Sequence, residues 1–184
     1  FLLNDRLSTA INNRRSKYKV GVFTLGLDDF GKINRTLSHQ AGDVLLQQVA
    51  KRLKSILRET DTISKLSGDE FVVVSSRSKK SSDLIAVATK LLNSFRQPFV
   101  IDERELPFSA SVGISVHPAD GQTVEHLLQN SASAMHHAKK SGGGRFEFHT
   151  EELNQKISRR MQIEEQMHSA LGRNEFHVYY QPKV

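Results

Sequence analysis

Two adjacent carboxylates, Asp69 and Glu70, stand immediately before an apolar run that is typical of a buried strand. A polar hairpin tip on the protein surface is one explanation, because tight turns are ordinarily polar. A second pair of acids, Asp28 and Asp29, follows the apolar stretch 19–25. Strand ends and hairpin tips can converge at one edge of a sheet. Carboxylates clustered in this way would hold Mg²⁺, which prefers hard oxygen ligands together with substrate phosphates.

The elements that must position these acids alternate between strands and helices. β-Branched and aromatic runs predict strands at 19–25, 62–66, 70–75, 98–101, 108–116 and 146–148. Apolar residues at helical spacing predict helices at about 43–58, 84–95 and 123–140. The interleaved order predicts an α/β (α+β) fold with a central sheet and helices packed on it.

The composition changes after residue 149. Residues 150–174 form a polar segment with apolar residues at helical spacing, which predicts a linker helix. Residues 175–184 begin an apolar strand that has no partner of its own, so we interpret them as the start of a second domain. The predicted organisation is therefore a domain at 1–149, a linker helix at 150–174 and a truncated domain at 175–184.

Composition restricts the possible classes of protein. The 184 residues contain no cysteine, which excludes disulfides and thiolate metal sites, and carry a formal net charge of +6. This charge favours anionic partners, with nucleotides, nucleic acid and membrane surfaces all open. No apolar run is long enough to span a bilayer, so we expect a soluble fragment without a membrane segment and a cytoplasmic location. Membrane attachment of the parent protein elsewhere stays open.

Several short motifs lie along residues 1–149. They are Leu2-Leu3-Asn4, Gly26-Leu27-Asp28-Asp29-Phe30-Gly31-Lys32-Ile33-Asn34, His39-Gln40-Ala41-Gly42-Asp43, Ser67-Gly68-Asp69-Glu70-Phe71, Ser111-Val112-Gly113-Ile114, His117-Pro118-Ala119-Asp120-Gly121 and Ala134-Met135-His136-His137-Ala138-Lys139. In their order and spacing they resemble a GGDEF (diguanylate cyclase) domain. The resemblance implies a nucleotidyl-cyclase-like fold.

The resemblance also implies a reaction. Two GTP-loaded domains meet as a homodimer, and each 3′-hydroxyl attacks the α-phosphate of the other GTP, which gives cyclic di-GMP and two pyrophosphates. Mg²⁺ or Mn²⁺ would neutralise the developing charge. The implied metal ligands are Asp69, Glu70 and the backbone of Leu27, and Glu70 is also the implied catalytic residue.

Four further residues match substrate-binding positions of the family. Asn34 and Asp43 match the residues that recognise guanine, since an amide and a carboxylate can pair with a purine edge. The alternative role for each is a helix cap, for which Asn and Asp are preferred. Lys139 matches a family lysine, and Arg145 lies two positions beyond the place where the family has an arginine.

Three departures indicate a degenerate cyclase site. The family's metal-binding aspartate falls on Gly26, the lysine of the same motif falls on Gly31, and the arginine near the C-terminus falls on Gly143. Loss of a partner behind a metal ligand typically costs 10–100-fold in affinity or activity, so loss of a ligand itself should cost at least as much. Asp28 does not obviously replace Gly26, because two residues along a strand move a side chain by roughly 6–7 Å.

Arg58 and Asp61 match the family's R-x-x-D inhibitory site, which binds cyclic di-GMP. An arginine can bind phosphate or guanine edges, and an aspartate can accept hydrogen bonds from guanine. The alternative is an ion pair between residues three apart at a helix end, worth a few tenths of a kcal/mol.

The C-terminal residues resemble the beginning of an EAL domain, the cyclic di-GMP phosphodiesterase module. The matching residues are Glu164-Glu165-Gln166 and Tyr179-Tyr180-Gln181-Pro182. We therefore expect a regulatory GGDEF domain that binds GTP or cyclic di-GMP, not nucleic acid, in front of an EAL domain of the same protein. One alternative is an active cyclase in which Asp28 or Asp29 and Arg145 compensate. The other is an RNA-binding α/β domain, although Val72-Val73-Val74 lacks the aromatic residues that stack bases.

Overall fold

The computed structural model describes residues 2–13, residues 18–150 and positions 155, 159, 162–163, 166–167, 169–170, 173 and 175. The chain divides into two compact units, residues 1–149 and residues 150–184. In the second unit, the described positions from 155 to 170 are helical. Most of the predicted linker helix and all of the predicted strand after residue 175 lie outside the described residues.

The first unit contains five helices and seven strands among its described residues. They are α1 (Leu2–Asn12), β1 (Lys19–Leu27), α2 (Phe30–Thr36), α3 (His39–Ile56), β2 (Thr62–Ser67), β3 (Glu70–Ser78), α4 (Ser81–Asn93), β4 (Phe99–Ile101), β5 (Arg104–Leu106), β6 (Ala110–His117), α5 (Val124–Lys140) and β7 (Phe146–Phe148). No described helix is long and apolar enough to cross a membrane.

The central sheet has the strand order β2-β3-β1-β6-β7, and β4 and β5 form a separate hairpin. Strand β1 lies in the middle, antiparallel to both β3 and β6, whereas β7 runs parallel to β6. Both faces of β1 are covered, so every residue of the strand after Lys19 is buried. The predicted α/β fold with a central sheet is confirmed.

The two faces of β1 meet different helices. Val20 and Val22 belong to an apolar cluster that also contains residues of α1 and α5. On the opposite face, a Cβ placed on Gly21 would lie 2.5 Å from Leu84 of α4. Residues of β1 with even numbers therefore face α5, and this alternation also brings Gly26 beneath that helix.

Several element boundaries differ from the sequence expectations. Helix α3 begins at His39 rather than near Asp43, because Ser38 caps it: the Ser38 Oγ accepts a hydrogen bond from the Ala41 N–H at 3.1 Å. The sequence did not predict α1, α2 or β5. Helix α2 and strand β5 are too short, with seven and three residues, for hydrophobic periodicity to reveal them.

Helix α5 lies unusually close to the sheet because small residues line the contact. A Cβ added to Gly113 of β6 would lie 2.0 Å from the Ser131 carbonyl oxygen and 2.1 Å from the Met135 nitrogen. Two hydrogen bonds fix the same contact: Thr24 Oγ1 to Ser131 Oγ at 2.7 Å, and Ser115 Oγ to the Leu127 carbonyl at 2.7 Å. The helix backbone thus rests directly on β6.

We predict that Gly113→Ala destabilises the first unit by about 3 kcal/mol or more, because the added methyl group would overlap helix backbone that cannot move aside as a side chain could. Chemical denaturation of both proteins measures this change. The control is Gly31→Ala, since the nearest atom to a Cβ at Gly31 is 3.5 Å away and is the end of the Arg35 side chain. The control should stay within about 1 kcal/mol of the parent. Equal stability of the two variants would contradict the close packing of α5.

Candidate functional site

The sheet edge at the end of β1 brings several of the predicted metal-site residues together. Gly26 of β1 lies between Glu70 of β3 and Ser111 of β6 in the strand registers. Gly68 and Asp69 form the turn between β2 and β3, and Gly68 has a φ of +48°, which glycine adopts without strain. The Leu27 N–H points at the Asp69 carbonyl oxygen, 3.4 Å away. The tip of this hairpin therefore lies beside the end of β1, as the sequence suggested.

Lys139 of α5 reaches into this edge. Its Nζ donates to the Leu27 carbonyl oxygen at 2.9 Å and to Asp69 Oδ2 at 3.2 Å. The side chains of Lys139 and Asp69 are 27% and 28% exposed, so solvent only partly screens the pair. Two of the predicted metal ligands, the Leu27 backbone and Asp69, thus share one ammonium group.

Glu70 also lies against α5. Its Oε1 is 3.9 Å from the Nε2 of His136, and its side chain is 22% exposed. Adjacent residues of a regular strand point to opposite faces of the sheet, but here both carboxylates approach α5. The reason is that β3 begins at Glu70, so Asp69 belongs to the turn and is free of the strand's alternation.

The Asp28 carboxylate bonds the loop after α5 to the start of β6. Its carboxylate accepts hydrogen bonds from Ser109 Oγ at 2.7 Å, Ser111 Oγ at 2.8 Å and the Gly144 N–H at 2.9 Å. Gly143, beside Gly144, has a φ of +70°, and a Cβ placed there would lie 2.9 Å from Asp28 Oδ2. Glycine at 143 therefore permits the loop after α5 to close on Asp28.

The remaining acid of the pair points away into solvent. Asp29 has a φ of +55°, and its carboxylate forms an ion pair with Lys32 at 2.7 Å. Both side chains are about 70% exposed, at 70% and 67%, so this pair contributes little to stability.

These residues do not fit a divalent metal ion in the arrangement that the structure has. Gly26 supplies no carboxylate, and the oxygens of Leu27 and Asp69 are bonded to the Lys139 ammonium group. Within residues 2–13, 18–150 and the isolated positions described beyond them, no group of three or more His, Cys, Asp or Glu side chains is placed to hold a metal. The predicted metal ligands are therefore neighbours without forming a ligand set.

The predicted guanine-binding residues lie on α2 and α3. Asn34 lies within α2, where the side chain is outside the description, and Asp43 is an exposed residue within the first two turns of α3. Neither is the N-cap of its helix, because α2 begins at Phe30 and Ser38 caps α3. The alternative role of both residues as N-caps is therefore wrong.

Asp43 lines a cavity of about 600 Å³ between α1, α3 and β2. The lining is mixed, with apolar residues beside charged ones. The charged residues are Arg6, Asp43, Lys54, Asp61 and Lys65. Asp61 of the predicted inhibitory site thus lines the same cavity as the predicted guanine-binding Asp43, a proximity that the sequence did not indicate.

Arg58 and Asp61 form a turn after α3. The Asp61 carboxylate accepts a hydrogen bond from the Arg58 backbone N–H at 3.1 Å, and the Asp61 N–H donates to the Arg58 carbonyl at 2.9 Å. In the described part of the chain no ion pair joins the two side chains, so the ion-pair alternative is wrong. The exposed guanidinium does not take part in closing the turn.

Arg58 also contributes to the field around Asp83 at the start of α4. The backbone N–H groups of Lys80 and Lys79 hold the pKa of Asp83 below its usual value, and the charges of Lys80 and Arg58 act in the same direction.

Arg145 contributes its backbone to the fold. The Val112 N–H donates to the Arg145 carbonyl at 2.9 Å, while Arg145 as a whole is exposed just after residues 142–144, the glycine loop that follows α5. Sequence reasoning missed Ser109, Ser111 and His136 as residues that shape this site. The helical spacing of His136 and Lys139 was the signal that could have placed both on the face of α5 above the two acids.

The chain is similar to known proteins over its whole length. The family model "Diguanylate cyclase, GGDEF domain" matches residues 1–145. The chain is 37% identical over 184 residues, 100% of its own length and 27% of the relative's, to the bifunctional diguanylate cyclase/cyclic di-GMP phosphodiesterase MucR of Pseudomonas aeruginosa. It is 34% identical over 180 residues to the cyclic di-GMP phosphodiesterase NbdA of the same organism, which covers 97% of this chain and 23% of NbdA. The chain thus spans about a quarter of the length of these relatives.

Solved structures give the same result. The crystal structure of the GGDEF domain of YfiN (TpbB) from Pseudomonas aeruginosa is similar with a TM-score of 0.77 and 30% identity, over 80% of this chain and 92% of that one. The family match covers most of the sequence, and the fold is similar to that of a solved GGDEF domain. The chain belongs to the GGDEF domain family.

Proposed function

We propose that this chain is a catalytically silent GGDEF domain that serves as a regulatory, nucleotide-binding module of a longer cyclic di-GMP signalling protein. The observation that carries the proposal is the position of Lys139, which bonds both Leu27 and Asp69 where Gly26 lacks a carboxylate. Family membership favours cyclic di-GMP signalling over the RNA-binding alternative.

The diguanylate cyclase reaction requires that the negative charge on the reacting phosphates is neutralised. In that reaction a 3′-hydroxyl attacks an α-phosphate and pyrophosphate leaves, so negative charge develops on oxygens that metal ions would stabilise. In this chain the Glu70 carboxylate remains as a group that would accept the proton of the hydroxyl, with His136 3.9 Å away. However, the ligand set that would hold Mg²⁺ or Mn²⁺ is incomplete, because residue 26 has no side chain.

The active-cyclase alternative requires other residues to compensate, and their contacts argue against it. The Asp28 carboxylate already accepts three hydrogen bonds, from Ser109, from Ser111 of β6 and from the Gly144 N–H in the loop after α5. Asp29 is paired with Lys32 in solvent. Arg145 is exposed beyond the glycine loop. Recruitment of Asp28 to a metal would compete with the hydrogen bonds that its carboxylate accepts from the two serines and the Gly144 N–H.

Two features support nucleotide binding without catalysis. Asp43 lies in the lining of the 600 Å³ cavity, and Asn34 lies on the preceding helix, so we assign both to guanine recognition. We place cyclic di-GMP at Arg58 and Asp61, because the guanidinium of Arg58 is exposed and its backbone, not its side chain, engages Asp61.

The role within the parent protein follows from its relatives. MucR is a bifunctional diguanylate cyclase/cyclic di-GMP phosphodiesterase, and NbdA is a cyclic di-GMP phosphodiesterase. We propose that an EAL domain follows this chain, that residues 150–174 link the two domains, and that nucleotide binding here controls the phosphodiesterase. A location in the cytoplasm would give the domain access to GTP.

We predict no cyclase activity. GTP incubated with concentrated protein and Mg²⁺ or Mn²⁺ should give no cyclic di-GMP above the level of Asp69→Asn, a variant that lacks one of the remaining acids. Chromatography of the nucleotides measures the product. Turnover near 1 s⁻¹, a rate typical of enzymes, that Asp69→Asn abolishes would contradict the proposal.

We predict that the domain prefers GTP to ATP and that Asp43→Ala weakens GTP binding at least fivefold, because the carboxylate accepts hydrogen bonds from the guanine edge. Calorimetric titration measures both affinities. Glu105→Ala, which removes an exposed acid from the β4–β5 hairpin, is the control and should bind GTP as the parent does. Equal affinities for GTP and ATP would rule out the guanine assignment.

We predict that Arg58→Ala weakens cyclic di-GMP binding by an order of magnitude or more, because a hydrogen bond to a charged group contributes about 1.5–3 kcal/mol. The same variant should unfold within about half a kcal/mol of the parent, since the turn is closed by the backbone of Arg58. Arg96→Ala, another exposed arginine, is the control and should leave the affinity unchanged. Binding that is unaffected by Arg58→Ala would remove this site from the proposal.

A further inference from the structure

Lys139 lies where a side chain at position 26 would have to be. A Cβ placed on Gly26 would lie 2.7 Å from Lys139 Nζ, 2.8 Å from its Cε and 2.9 Å from Met135 Sδ. Non-bonded contacts of a Cβ atom below 3.0 Å are essentially never found in real structures. A side chain at position 26 and the observed position of the Lys139 side chain therefore exclude each other. The glycine is thus a condition for the observed position of the lysine.

The ammonium group of Lys139 makes the contacts of a bound cation. It donates to one backbone carbonyl oxygen, that of Leu27 at 2.9 Å, and to one carboxylate oxygen, that of Asp69 at 3.2 Å. Carbonyl and carboxylate oxygens are the ligands that Mg²⁺ takes in proteins. A metal ion that bound these two oxygens would have to displace the ammonium group and break both of its hydrogen bonds.

The neighbouring acids offer a metal little compensation. The Glu70 carboxylate lies 3.9 Å from His136. His136 is on the same face of α5 as Lys139, about one helical turn before it. Asp28 accepts three hydrogen bonds from groups on β6, the segment before it and the glycine loop. The charge of Asp69 is already balanced by the single positive charge of Lys139, whose Nζ lies 3.2 Å from Asp69 Oδ2.

We propose that Lys139 is a tethered cation that takes the place of a divalent metal at the end of β1, so that this edge of the domain does not depend on Mg²⁺. The inference rests on the proposed loss of cyclase chemistry and gives its physical basis. Gly26 has two linked effects: it removes a metal ligand and it makes room for the ammonium group that occupies the remaining two. Any phosphate that approaches this edge meets a fixed single positive charge instead of an exchangeable metal ion.

The test measures Mn²⁺ binding to the nucleotide-free 184-residue chain by electron paramagnetic resonance, in which protein-bound Mn²⁺ is lost from the free-ion signal. The parent should bind no Mn²⁺ with a Kd below about 1 mM. Gly26→Asp should bind one Mn²⁺ per chain at least tenfold more tightly, because it adds a carboxylate and displaces Lys139. The variant should fold, since the atoms that the new side chain meets are the ends of two flexible side chains.

Two controls make the result specific. Gly31→Asp adds the same charge at an exposed position of α2, and it should leave Mn²⁺ binding as weak as in the parent. Asp69→Asn in the Gly26→Asp background should abolish the gained site. If Gly26→Asp did not fold, Lys139→Met would serve as the second variant, and Mn²⁺ should bind it more tightly than the parent because the ammonium group is gone.

Two outcomes would overturn the inference. One is a parent that binds Mn²⁺ with a sub-millimolar Kd that Asp69→Asn abolishes, since a metal would then coexist with Lys139. The other is a folded Gly26→Asp variant that gains no Mn²⁺. Both are independent of GTP turnover: a parent that binds Mn²⁺ yet forms no cyclic di-GMP would overturn this inference and leave the proposed function standing.

Discussion

The close approach of α5 to the sheet is the constraint on which the rest of the structure depends. Gly113 leaves room for helix backbone within van der Waals contact of β6, and Thr24 and Ser115 bond the helix from the strands below. This contact fixes the rotation and depth of α5, and therefore decides where the last turn of the helix ends. Lys139 can reach Leu27 and Asp69 only because the helix lies so low on the sheet.

The consequence is a site in which each acidic side chain has a neighbouring group of the protein as its partner. Asp69 is paired with Lys139, Glu70 lies near His136, and Asp28 is bonded to two serines and a backbone N–H. A partly buried carboxylate without a partner would be costly, so substitution of glycine for an acid at position 26 removes one charge that would otherwise need compensation. The domain keeps the architecture of its family, and in the proposed arrangement the charges at the end of β1 are balanced without a metal ion.

The sequence predicted much of this fold because its signals are local. The long strands and the three long helices follow from runs of apolar residues, and the hairpin at 62–75 from its two polar turn residues. The short elements α2 and β5 carry too few residues for such a signal. The start of α3 was misplaced because the capping role of Ser38 outweighs the apolar pattern that begins later.

The candidate site was only half predictable, for a physical reason. Sequence motifs showed that Gly26 lacks the acid of the family, but they could not show that Lys139, 112 residues beyond Leu27, fills the space. Nor could spacing show that Asp61 bonds the backbone of Arg58 rather than its side chain. Such contacts depend on how α5 and the loops pack, which is a property of the folded chain alone.

The most direct measurement is a crystal structure of the chain grown with Mn²⁺, with anomalous diffraction recorded at the manganese absorption edge. The tethered-cation arrangement predicts continuous density for Lys139 up to Leu27 O and Asp69, and no anomalous peak between those two oxygens. An anomalous peak about 2 Å from both oxygens, with Lys139 turned away, would contradict it.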